Sequence, residues 1–249
     1  MKKISLTTRL ALTSVSLVTV GIFSLPATVT LAVNKTAAST SNQTTTQQQH
    51  LATIKQKGTA EINRRLTQLG KLNSVISSAT HLTASDKSYL EAEVNTEVSG
   101  LTDLETTLNG ETALAAAITD AKSIYTEYRV FALVTPKVWL VKTADDQQSV
   151  EAKLGTLEGK LQTRINIDQT AGKSVTTLQT SLSDMNTQIT NSQTISSAVE
   201  TAVLPLQPAD YNTDTSVLSG YNTKLKTAHG DNVTAYNDAK TIVTGLKSL

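Results

Sequence analysis

Apolar residues recur at intervals of three and four along most of this chain, the spacing that places them on one face of a helix. From about Gln47 to Ser78 the stripe is Leu51, Ile54, Ile62, Leu66, Leu69, Leu72 and Ile76, with Gly58 filling one gap. A second helix is expected after the turn Thr80–Thr83, with Leu90, Val94, Val98, Leu101, Leu104 and Leu108 on one face. Thr83 and Asp86 have capping-box spacing at its start, and Asn109-Gly110 suits a left-handed cap at its end. A third helix starts near Glu111 and runs into Ile124–Val141, the most apolar stretch after the N-terminus. A fourth follows to about Ile167. A fifth, with the cleanest heptad (Val175, Leu178, Leu182, Met185, Ile189), ends at Pro205 and Pro208. A sixth covers about Thr213 to Lys247.

Ile124–Val141 holds Tyr125, Tyr128, Phe131, the only Trp (Trp139) and Pro136. Proline lacks an amide hydrogen and clashes with the preceding turn, so a kink or restart is expected there. Two readings of the stretch follow: core packing at a helix joint, or a membrane-inserting or partner-binding patch, the latter requiring exposed aromatics. Short connections make neighbouring helices antiparallel. The expected fold is all-α, an elongated antiparallel bundle of two three-helix units, residues 47–135 and 136–249, joined at Pro136.

The N-terminus changes the picture of where this bundle works. Lys2 and Lys3 precede an apolar run, Leu10–Leu25, and Thr30-Leu31-Ala32 offers small residues at a cleavage site. Residues 1–32 therefore read as a secretory signal peptide. The alternative is an uncleaved anchor over Leu10–Val33, which exceeds the roughly 20 residues a span needs but is diluted by Thr and Ser. Residues 33–46 are rich in Thr and Gln and are expected to be a disordered spacer. Both readings place the helices outside the cytoplasm, at the cell surface or envelope.

Composition removes several functions. Cysteine is absent, so there is neither a disulfide nor a thiolate centre. Gly (11) and Pro (4) are too scarce for a large all-β chain of 249 residues. Removing Lys2, Lys3 and Arg9 from the 22 basic residues leaves 19 against 21 acidic, with no basic block for nucleic acid. His50, His81 and His229 are isolated in sequence and read as surface residues rather than zinc ligands. Asp145-Asp146 is not a carboxylate dyad, because adjacent helical residues point about 100° apart; a solvated face is expected. Asp231-Asn232 lacks the oxygen ligands of a calcium loop. Gly155-x-x-x-Gly159 is a membrane-dimer pattern only in an apolar setting, and Thr, Glu and Lys surround it. No residue is assigned a catalytic, cofactor-binding or metal-ligating role, and no cofactor is expected.

The segments EINRRLTQLGKLN, LTASDKSYLEAEVNTEVSGLTDL, SIYTEYRVFALVTPK, AGKSVTTLQTSLSDM and AYNDAKTIVTGLK resemble uncharacterised exported helical proteins of candidate-phyla (ultrasmall) bacteria. The similarity covers most of Ala60–Lys247. It implies export, a helical fold and a bacterial source, and transfers no functional residue. The expected function is a non-enzymatic spacer or adhesin-like binding module, its partner a protein or cell-wall polymer, with membrane contact only through the N-terminal segment. A membrane-active protein of pore-forming type and an envelope enzyme are the alternatives.

Overall fold

Side chains that recur every three to four residues close into a helical bundle in the computed structural model, which describes residues 30–249, with side chains from residue 44 onward. The signal peptide read over residues 1–32 lies outside the described residues apart from its C-terminal edge. Gln47–Leu249 forms one compact unit. The elements are α1 (Thr30–Ser78), α2 (Ala84–Gly110), α3 (Leu114–Thr126), a π-helical turn (Val130–Val134), α4 (Thr135–Thr170), α5 (Thr176–Val203), the short α6 (Pro208–Thr213) and α7 (Tyr221–Lys247). No strand occurs among the described residues.

Among the described residues α1 runs from Thr30, so the backbone of residues 33–46, the stretch read as a spacer, is helical. At the other end of the first hairpin, α2 closes on Gly110 without a left-handed cap: the only positive-φ glycines among the described residues are Gly172 and Gly220. Side chains of α1 cap this end instead, Lys55 Nζ donating to the Asn109 carbonyl at 2.8 Å and Thr59 Oγ1 to Asn109 Oδ1 at 3.3 Å.

These bonds and Asn73 Nδ2 to Asn95 Oδ1 (3.4 Å) run α2 antiparallel to α1. The third place against this hairpin is shared. Ala117 and Ile124 of α3 fill its lower part, and Val134, Val138 and Val141 fill its upper part. Gln68 Nε2 reaches Thr135 Oγ1 at 3.4 Å, and just past the end of α1 His81 and Thr83 meet Asp146 and Asp145, so the first half of α4 runs alongside α1 in the same direction. Further on, α4 packs with α5 and α7 around a second core of Leu154, Leu161, Ile165, Leu182, Met185, Ile189 and Ile242. The first core is closed by Val199 and Val203 from the end of α5 and Leu225 from α7. Each fully buried Leu or Ile contributes about 1.5–3 kcal/mol. A band of buried polar residues separates the two cores: Asp145 and Glu151 on α4, Ser192 and Ser196 on α5, Asn232 on α7.

The joint is built from two adjacent features. The chain leaves helical hydrogen bonding at Glu127–Arg129 and resumes in the π turn, where the amides of Val134 and Thr135 reach back five residues to Arg129 and Val130. The widened turn relieves the clash of the Pro136 ring with the preceding carbonyls, and Pro136 then sits in the first turn of α4, where a missing amide costs nothing. The helix expected from Thr213 starts later, at Tyr221, where Gly220 at φ 82° turns the chain into α7, and the short α6 from Pro208 to Thr213 precedes it.

Candidate functional site

The apolar joint sorts its side chains by type. Val130, Leu133, Val134, Val138, Leu140 and Val141 are buried, whereas Tyr125 is 50% exposed, Phe131 36% and Trp139 47%. Core packing, the first reading of this stretch, thus holds for the aliphatic residues and fails for three of its aromatic ones. The π turn explains the sorting. It adds a residue to one turn, so Phe131 and Trp139, which an unbroken α-helix would place about 80° apart, return to one side of the segment.

Two arginines of α1 meet this side. The Arg64 guanidinium lies 4.1 Å from the centre of the Phe131 ring, and that of Arg65 lies 4.7 Å from Tyr125 and 5.5 Å from Phe131. Glu61 orients both, bonding Arg64 at 2.6 Å and Arg65 as well. The result is a surface cluster of Arg64, Tyr125 and Phe131 with Arg65 beneath it, and Trp139 stands exposed about two turns further along the same segment. Cation–π contacts of this kind contribute about 0.5–1 kcal/mol at exposed positions.

Buried carboxylates form three further groups. Glu93 and Glu97, on one face of α2, meet Lys137 of α4, whose side chain is 0% exposed. Lys137 Nζ donates to Glu93 Oε1 at 2.7 Å and to the carbonyl of Leu206. Burial raises the Glu93 carboxyl against the pull of Lys137. Burial, together with the neighbouring Glu93, pushes Glu97 up to about 7. In the polar band, Glu151 accepts Ser192 Oγ at 2.5 Å and Ser196 Oγ at 3.1 Å.

The third group corrects the sequence reading of Asp145-Asp146 as a solvated pair. Asp146 is on the surface, held by Lys142 at 2.6 Å and by His81 at 3.1 Å. Asp145 is 1% exposed and lies with Asp86 of α2 and Glu200 of α5, one carboxylate oxygen from each falling within 4.8 Å of the others. The capping box explains the meeting. Thr83 caps α2 as its spacing predicts, accepting the Asp86 amide at 3.1 Å, but its own amide donates to Asp145 Oδ2 at 2.9 Å rather than to Asp86.

The remaining candidates stay apart. His50, His81 and His229 are all exposed and belong to different regions. Gly155 and Gly159 have open space where a Cβ would stand, so no close helix approach uses them. Asp231 is half-buried, and its neighbour Asn232 is buried and donates to Gln147 Oε1 at 2.9 Å. A depression of about 700 Å³ between α5 and α7, lined by Ser181, Asn237 and Lys240 among others, shares no residue with either the aromatic face or the carboxylate groups. Among the described residues, no helix is long and apolar enough to cross a membrane. Comparison of the chain with protein-family models, with curated proteins and with solved structures gives no match.

Proposed function

We propose that this chain is an exported, non-enzymatic helical binding protein of the cell surface or envelope, and that it holds a protein partner on the face of Arg64, Tyr125, Phe131 and Trp139. The observation that carries this reading is the exposure of those aromatics beside stacked arginines, in a segment whose aliphatic residues are all inside. Protein interfaces are enriched in Trp, Tyr, Phe and Arg, because rigid aromatic faces and planar guanidinium groups give large contact area for little lost entropy. Glu61 already fixes the two guanidinium groups, which lowers the ordering cost of binding further. Export rests on residues 1–32 and on the resemblance to exported helical proteins of ultrasmall bacteria.

Photo-crosslinking residues placed at Phe131 and at Trp139, in cells that produce the protein natively, test the reading. The same protein should be trapped from both positions, and Arg64→Ala should reduce its yield. A crosslinker at the exposed Ile167, far along α4, should not trap it. Adducts confined to lipid or to glycan, or the absence of any adduct specific to the two positions, would overturn the assignment of a protein partner.

A further inference from the structure

We propose that Asp86, Asp145 and Glu200 form a calcium site that ties the N-terminus of α2, the middle of α4 and the end of α5 together. Three carboxylates from separate parts of the chain each offer an oxygen, all within 4.8 Å of one another. Oxygens around calcium lie about 2.3–2.6 Å from the ion, so opposed ligands stand up to about 5 Å apart; magnesium, at about 2.0–2.1 Å, draws them closer. The donors are oxygen alone, which selects a hard cation over zinc or copper.

Proximity of acids is not the whole argument. The Asp145 side chain is 1% exposed, and while Oδ2 takes the Thr83 amide, Oδ1 is buried with no hydrogen-bond partner. The neighbouring donors are neutral. Thr83 Oγ1 donates to Asp86 Oδ2 at 2.5 Å, and the Gln148 amide donates to Glu200 Oε2. None of the three carboxylates has an ion pair among the described residues. The nearby Lys142 ammonium and the His81 ring are turned outward to Asp146.

Two other buried carboxylates have compensating donors, Glu93 Oε1 in Lys137 and Glu151 in two serine hydroxyls, whereas Glu97, like Asp145, keeps an oxygen without a hydrogen bond. What sets the group at Asp145 apart is that three carboxylates meet there with no cation among them. A shared proton is the competing solution, since burial, the charges of Asp86 and Glu200 and a side-chain hydrogen bond with Asp86 push Asp145 up to about 7. One proton still leaves the group strongly negative, whereas a calcium ion satisfies all three oxygens. Glu200, only half-buried, leaves a way in from solvent.

The test is calcium binding by the purified protein after exhaustive chelation, read by isothermal titration and by thermal denaturation at neutral pH. One calcium should bind per chain. At a hundredfold excess over Kd, CaCl2 should raise the midpoint by about 5–10 °C. Asp145→Asn keeps an acceptor for Thr83 and adds a donor toward the other acids, so it should fold without calcium and lose the calcium response. Glu200→Gln should weaken binding at least tenfold. No saturable uptake, or a response to MgCl2 alone, would overturn the proposal. In a proton-sharing group the calcium-free midpoint falls as pH rises from about 4 to about 7. There the unfolded carboxyl has lost its proton and the folded one has not. In that case CaCl2 changes nothing.

Discussion

Lys137→Ala should destabilise the protein by about 3–5 kcal/mol, the loss typical of removing one partner from a buried ion pair. The Lys137 side chain is fully buried, and its ammonium is the cation bonded to Glu93. Without it Glu93 stays in the core unpaired, beside Glu97, and the Leu206 carbonyl loses its donor. Urea denaturation gives the size, and two controls give the cause. Lys137→Met keeps most of the stem volume, so a similar loss assigns the effect to charge rather than to packing. Combining Lys137→Met with Glu93→Gln should recover much of the stability, because no charge is then left without a partner. The loss should also shrink as the pH falls and Glu93 takes up a proton. A loss below about 1 kcal/mol at pH 7 would mean that water reaches this pair.

The second large effect is expected in the polar band. Glu151 is buried between α4, α5 and α7, and Ser192 and Ser196 supply its hydrogen bonds. A hydrogen bond to a charged group contributes about 1.5–3 kcal/mol. Ser192→Ala and Ser196→Ala should each cost about that much. The double variant should cost less than their sum, since both hydroxyls serve one acceptor. Adding Glu151→Leu to the double variant should restore part of the loss by removing the unsatisfied charge. If the double variant is as stable as the parent, Glu151 finds its partners in water.

Most of the architecture was legible because the interior is aliphatic and periodic. The stripes of α1, α2 and α5 are buried as their spacing requires, from Ile62 and Leu69 to Leu182 and Met185. In α7 Leu225 and Ala228 are buried as an apolar stripe requires, but Tyr236 and Val243 further along are exposed, and Ala235, Ala239 and Ile242 take the core positions there. Small alanines let helices approach closely but contribute little apolar signal of their own.

The carboxylate groups were missed for a different reason, although a signal for them exists. Val138, Val141 and Asp145 fall at intervals of three and four, as do Leu90, Val94, Glu97 and Leu101. Ser192 and Ser196 likewise continue the stripe of Met185 and Ile189. A polar residue in a core position of an otherwise apolar stripe marks a buried polar contact. What the stripe cannot name is the partner: Asp86 and Glu200 lie in other helices, and only packing brings them to Asp145. The exposed aromatics escaped for a third reason. Their orientation depends on the π turn ahead of Pro136, which shifts the helical phase by one residue.

Because Trp139 is the only tryptophan, its fluorescence reports on the proposed binding face alone. The most direct measurement is the quenching of Trp139 emission by acrylamide in the isolated protein, with and without phospholipid vesicles. The account predicts the readily quenched emission of a hydrated indole, unchanged when vesicles are added. An indole shielded from acrylamide in the isolated protein would contradict it, because Trp139 would then be core and the face would not exist. Shielding that appears only with vesicles would contradict it as well, and would make the face a membrane contact.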